Sequence, residues 1–449
     1  MGLSFTLFLK ECKIICKSVI YIAFICAAVL FYNSQMGDEI TNDISQYYTN
    51  EDYYTGSLLH NPLIKPQEGA ESYGTKYDEI PEQIMPETVA SLILAWKQNY
   101  YITYPVIFRQ EIKLTDKKQA EIAQNIEDIT GISSEELYNI VFEERVRYVD
   151  DSGILHSENI SYADIIPIKV TYEEFKEKMK RVDKIIGGGS DYSVNSLNKF
   201  SHSQVPVTYE EKSAEYDAFI NEDKITGAYA KLFCDYMGIV AGMLSVFVPA
   251  AFLMRDKRAR ASELIFSRDI SSLKFILVRY IALVFMMLIP FLLLSILPSI
   301  QLIEFAVKNS LPVDIFGFAK YITAWLLPTL MTTTAVAFIL MTVTDTPIAI
   351  AVQFLWGFLS LMFGSFSAAA SGTGELIDYS SLIIRHNSAG HLQIYKDGLT
   401  QLTVNRISYA ILSIALIALT IFIYEQKRRG EADVRGSLRK IFRNRKSAD

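Results

Sequence analysis

The chain has 449 residues, 50% of them hydrophobic and 21% charged, with a mean hydropathy of +0.20, too apolar for an ordinary soluble enzyme and too charged for a bare membrane bundle. Its four cysteines, Cys12, Cys16, Cys26 and Cys234, all lie in or beside apolar runs, which leaves the long polar segment without any disulfide. That fits a bacterial outer face without disulfide machinery, and the formal net charge of -7 is spread very unevenly.

Residues 1–33 open the chain with an interfacial helix over Leu3 to Ile15, where Leu3, Phe5, Leu7, Phe8 and Ile14 accompany Lys10 and Lys13. A first span over Ile14 to Tyr32 follows. It lacks a small-x-small cleavage site and is long enough to cross a bilayer, so it reads as a retained anchor.

Residues 34–228 form a large polar domain with 35 Asp plus Glu against 18 Lys plus Arg, a difference of -17 that accounts for the acidity of the whole chain. A Tyr-rich irregular stretch covers Gln46 to Tyr77, and helical patterns cover Pro86 to Tyr100, Thr115 to Ile129, Ser133 to Arg145 and Thr171 to Ile186. Ser133 with Glu136 has the spacing of a capping box. Alternating runs at Val106 to Leu114 and Ile165 to Tyr172 predict strands, giving a mixed α+β domain. Gly187, Gly188 and Gly189 read as a flexible loop. A last helix from about Tyr209 leads into the second span as a stiff stalk.

Residues 229–424 hold five more apolar stretches of spanning length, Leu232 to Met254, Phe275 to Leu297, Tyr321 to Val343, Pro347 to Phe366 and Ile407 to Tyr424. Lys10, Lys13 and Lys17, the cluster Arg255 to Lys274, and the basic tail 425–449 then fall on one side if the spans alternate, which the positive-inside rule makes the cytoplasm. The fold class is therefore an α-helical polytopic membrane protein with about six transmembrane helices, both termini cytoplasmic, and a large α+β extracellular domain between the first and second. The tail either binds anionic headgroups or simply stops transfer.

Several chemistries are excluded. No Gly-Lys dipeptide occurs, so no phosphate-binding P-loop is possible, and no His precedes a Glu, which removes the His-Glu-x-x-His zinc helix. His386 and His391 stand five apart and would not share a helix face. No catalytic, cofactor-binding or metal-ligating set emerges, and no mid-membrane acid-base chain points to proton coupling. Thr329, Thr332 and Thr333, with Thr334, sit in mid-span and either line a polar translocation path or bond back to their own helix. Pro249, Pro290, Pro328, Gly238, Gly242, Gly357 and Gly364 offer kinks and close helix approach.

The loop 255–274, RDKRARASELIFSRDISSLK, has the composition of a short amphipathic helix at a membrane surface, and Arg279 lies one turn into the next span. It either fixes topology or does more, and Glu263 is an acid that topology alone does not need. From Glu263 to Ser271 the loop resembles the Glu-Leu-Leu-x-Ser-x-Pro-x-Ser turn of permease subunits of type-2 ATP-binding-cassette transporters, with Asp269 in place of the proline. The outer segment 367–406 is similar to the partly re-entrant hairpin that family places before its last helix, or else is an ordinary surface loop.

That resemblance implies a coupling helix, with Arg260, Glu263, Leu264, Phe266, Ser267 and Arg268 contacting a separate ATPase subunit that holds ATP and Mg. It implies a permease paired as a homodimer or with a second permease, no enzyme activity and no nucleic-acid partner. The expected function is export across the cytoplasmic membrane, with a peptide, a lipid-linked compound or an antibiotic as cargo. The alternative is a membrane sensor or assembly protein whose extracellular domain binds a ligand without transport.

Overall fold

The computed structural model describes residues 2–49, 61–70, 72–77, 79–103, 110–143, 147–149, 155–157, 161–194, 197, 204–259, 270–370, 378–386, 389–390 and 392–430. The chain forms two compact units. Met1–Tyr73, Thr208–Ser365 and Leu376–Asp449 make a helical bundle, and Gly74–Val207 with Phe366–Glu375 make an inserted unit.

The bundle begins with α1 (Gly2–Cys16), α2 (Val19–Gln35) and α3 (Glu39–Thr49). The first span was expected from Ile14, but the helix breaks before Ser18, whose extended backbone (ψ 127°) caps α2. The helix expected over Leu3 to Ile15 and the apolar helix after it are thus separate elements, and α1 packs along a later helix of the bundle.

The inserted unit contains β1 (Thr75–Tyr77), α4 (Pro81–Gln98), β2 (Tyr101–Thr103), β3 (Gln110–Ile112), α5 (Asp116–Thr130) and α6 (Ser134–Tyr138), then β4 (Arg147–Val149), β5 (Leu155–Ser157), α7 (Tyr162–Ile165), α8 (Tyr172–Ile186) and β6 (Gln204–Pro206). A core of aliphatic side chains with Tyr101 and Phe175 joins α4, α5 and α8. Among the described residues the β component is smaller than expected: three antiparallel pairs, β1 with β6, β2 with β3 and β4 with β5, each three residues long, while the first part of the expected strand Val106 to Leu114 lies outside the described residues. Ile165 to Tyr172 is not a strand. Pro167 has no amide to give a ladder, and the Lys169 amide bonds to the Ile129 carbonyl at the end of α5. Ser133 accepts from the Glu136 amide as expected, while complete capping boxes form at Thr171/Glu174 and Thr208/Glu211.

The chain returns to the bundle through α9 (Tyr209–Asp217), a π-turn (Ala218–Asp223), α10 (Lys224–Ile239), a second π-turn (Val240–Leu244) and α11 (Phe247–Arg258). Then come α12 (Ser272–Leu294), α13 (Ile296–Lys308), α14 (Gly317–Tyr321), a third π-turn (Ile322–Leu326), α15 (Leu327–Thr344), α16 (Ile348–Ala370) and α17 (Leu392–Arg428). Among the described residues, five helical stretches are long and apolar enough to cross a membrane: Val19–Tyr48, Tyr209–Arg258, Ser272–Lys308, Gly317–Thr344 and Leu392–Arg428. The fifth of the six expected spans, Pro347 to Phe366, falls on α16, whose stretch Ile348–Met362 is apolar. The chain is a helical protein of membrane type.

Candidate functional sites at the two ends of the bundle

Six residues expected to contact an ATPase, Arg260, Glu263, Leu264, Phe266, Ser267 and Arg268, lie outside the described residues. The two ends of their loop are described, and side chains from distant helices hold both. On the leading side, α11 ends with Lys257, whose ammonium lies 2.5 Å from Asp345 and donates to the Met341 carbonyl at 3.2 Å. Lys427 reaches the other Asp345 oxygen at 3.0 Å and donates to the Thr342 carbonyl. Carbonyls in the last turn of α15 are therefore reached by two ammoniums from α11 and α17, that of Met341 accepting from the Asp345 amide as well.

On the trailing side, Arg428 donates to the Ile270 carbonyl at 2.7 Å, Ser271 caps α12 through the Lys274 amide, and the Ser272 hydroxyl bonds to Glu425. Just inside, Arg279 of α12 bridges Asp256 at 2.6 Å and Glu11 of α1 at 3.2 Å, and its guanidinium lies 4.0 Å from the centre of the Phe275 ring. Arg279 and Glu11 are only 8% and 6% exposed, so this pair is desolvated rather than a surface contact. Asp345 just follows α15 with left-handed backbone (φ 59°). Burial works to raise its carboxyl, but the Lys257 and Lys427 ammoniums outweigh burial and hold it below the usual carboxylate range.

The far end contains a second buried polar set. Arg406 of α17 donates to Thr329 at 2.9 Å and to the carbonyls of Trp325 (3.2 Å), Ser381 (2.9 Å) and Leu382 (3.2 Å). The Trp325 carbonyl lies in the third π-turn and also accepts from the Thr329 hydroxyl at 3.3 Å. The second π-turn works in the same way, since its Gly242 carbonyl accepts from Gln353 of α16 at 2.5 Å.

Residues 378–386 form a tight hairpin in which Asp378 and Arg385 exchange backbone bonds of 2.7 and 2.9 Å. It is fastened by the Ile383 amide to Ser360 (3.1 Å) and by Arg385 to the fully buried Asp235 (2.7 Å). Ile383 presses onto the backbone of α10 and its π-turn, where a Cβ at Gly242 would meet the Ile383 side chain at 2.5 Å. Lys231, 0% exposed, pairs with Asp223 at 2.5 Å and lies 4.4 Å from the Tyr395 ring centre. His386 receives the Tyr379 hydroxyl at Nδ1 (2.6 Å) and faces the Gly390 carbonyl with Nε2 (3.3 Å), an arrangement that the neutral Nε2-H tautomer satisfies.

Thr329, Thr332 and Thr333 are all buried. Thr329 belongs to the Arg406 set, Thr332 lies 3.1 Å from the Tyr409 carbonyl of α17, and Thr333 shares a hydrogen bond of 2.9 Å with Ser245. Their hydroxyls join α15 to its neighbours and to its own preceding turn. His391 lies outside the described residues.

Sequence reasoning did not find Glu11, Asp223, Lys231, Asp256, Asp345 or Lys427 as partners. Lys231 stands one residue before the apolar run at Leu232, where a cation reads as the solvated edge of a span. A positive charge with an Asp eight residues earlier and another four later, on a helix otherwise apolar, was the available signal. Comparison with protein-family models, with curated proteins and with solved structures finds no match.

Proposed function

We propose that the chain is the membrane-spanning permease subunit of an ATP-driven exporter, multi-pass in the cell membrane, with both ends cytoplasmic and the polar insertion outside. ATP and Mg belong to a separate ATPase subunit, and the permease works as a pair enclosing a path. The observation that carries this reading is the fastening of a short basic loop at both ends. Lys257, Ile270 and Ser272 are tied to Asp345, Arg428 and Glu425, so a push on residues 259–271 acts on α11, α12, α15 and α17 together.

A loop that only fixed topology would need positive charge but no such fastening. A loop that receives force from a partner needs rigid seats, because a displacement is passed on only by elements that do not yield locally. The resemblance of Glu263 to Ser271 to a coupling turn supplies the partner, an ATPase whose nucleotide-driven closure moves the loop. Cargo selection then falls to the path and to the acidic insertion, whose charge favours encounter with cationic solutes.

The test is affinity copurification of the full chain from native membranes in mild detergent, comparing wild type with Glu263→Arg and scoring both a bound ATPase and ATP turnover. A stoichiometric ATPase lost only in the variant is the expected result. Wild type that carries no ATPase would favour the sensor or assembly role instead.

A further inference from the structure

Between α11, α12, α15 and α17 at the loop end lies a cavity of about 130 Å³ that loop fastening does not require. Its rim carries Lys257, Lys427 and Arg279 against Asp256 and Asp345, and its wall is apolar, built from Phe275, Ile276, Phe338 and Met341. The two acids are already committed. Asp345 is shared between two ammoniums, and Asp256 is held by Arg279, which Glu11 also neutralises from outside the cavity. At the rim two ammoniums thus face a single carboxylate, with Lys257 31% and Lys427 18% exposed. Arg428 and Arg429 follow directly in the chain.

We infer that this cavity is a binding site for one anionic phospholipid, with the phosphate at the Lys257 and Lys427 ammoniums and the start of an acyl chain against Phe338 and Met341. The position supports that occupant. The cavity lies where four apolar helices end, a position that meets the headgroup level when those helices cross a bilayer, and basic pockets between helices at that level bind phospholipid headgroups. A free anion would use the lysines but not the apolar wall. A peptide segment would have to bury backbone amides against that wall without partners. The inference needs only the membrane setting, so it stands or falls separately from the exporter reading.

The experiment is native mass spectrometry of the full chain in mild detergent with equal amounts of dioleoyl phosphatidylglycerol and dioleoyl phosphatidylcholine. One retained phosphatidylglycerol per chain is expected, favoured by about tenfold. Lys257→Gln with Lys427→Gln should bring the two lipids to equal retention. Thr342→Phe, which fills the cavity and leaves every charge in place, should abolish the adduct and guards against a double variant that fails to fold. Equal retention by wild type, an unchanged adduct in Thr342→Phe, or displacement of the lipid by millimolar sn-glycerol 3-phosphate would each overturn the assignment.

Discussion

The bundle and the inserted unit solve the problem of a stable interior in opposite ways. The inserted unit buries Ile, Val, Leu, Met, Phe and Tyr, and the polar side chains that go with them are uncharged, namely Thr88, Thr103, Asn125, Thr130, Ser134 and Ser190. The charged residues buried among the described residues, Glu11, Lys231, Asp235, Arg279, Asp378 and Arg406, belong to the bundle, as does Asp223, whose side chain is buried against Lys231. In water, removing apolar area drives folding at roughly 25 cal/mol per Å², and an ion pair at the centre adds cost rather than stability. Between apolar helices in lipid that drive is absent, and packing with interhelical hydrogen bonds decides which helices meet. The comparison teaches that charge in this bundle specifies partners, while the inserted unit is specified by shape and area.

The largest expected effect tests that contrast directly. Lys231→Met leaves Asp223 desolvated and unanswered, at a cost of about 4 to 5 kcal/mol, whereas Lys231→Met with Asp223→Leu should return to within about 1.5 kcal/mol of wild type. Thermal unfolding of purified protein reads both, and a single variant as stable as wild type would break the comparison. In the inserted unit, Phe175→Ala should cost about 4 kcal/mol through cavity formation, with no rescue available from a charge partner.

Arg406→Met should cost about 2 kcal/mol, because the Ser381, Leu382 and Trp325 carbonyls lose their charged donor and keep only the neutral Asn405 and Thr329 contacts. Its sharper readout is labelling of a cysteine at Leu382 by a membrane-impermeant maleimide, slow with Arg406 and fast without it. Thr171→Ala should remove about 1 kcal/mol by opening the capping box of α8, measured as a small fall in the denaturant midpoint.

The smallest effect concerns pH. Asp345 has a depressed folded-state value, so its contribution is present above the ordinary carboxylate value and is lost as pH falls through the folded one. Asp345→Asn should therefore flatten the acid limb of the stability profile below about pH 4 and shift neutral stability by less than about 1 kcal/mol.

The apolar spans were legible because a helix facing lipid needs about 20 apolar residues in a row, a local property of sequence. The helices of the inserted unit were legible for a similar reason, with Thr115 and Thr171 marking starts and Gly131 and Gly187 marking stops. What could not be read was long-range. Arg279 with Glu11 spans 268 positions and Tyr229 with Asp43 spans 186, and neither leaves a periodic trace. The π-turns of the bundle were equally hidden, since each is a local change of ladder, and in two of them a carbonyl accepts from another helix, from Arg406 or Gln353. Ile165 to Tyr172 misled because alternation reports two faces but says nothing about a neighbouring strand to pair with.

One consequence follows from the length of α17. Arg406 and Lys427 lie on this single helix 21 positions apart, a separation of about 31 Å at 1.5 Å per residue, close to the hydrocarbon thickness of a bilayer. Each is moored to other helices, Arg406 to Trp325, Thr329 and the hairpin, Lys427 to Asp345. The helix is therefore a gauge fixed at both marks. In a thinner bilayer it has to lean, and leaning strains both moorings together, which makes acyl-chain length a variable that acts on the two ends of the protein at once.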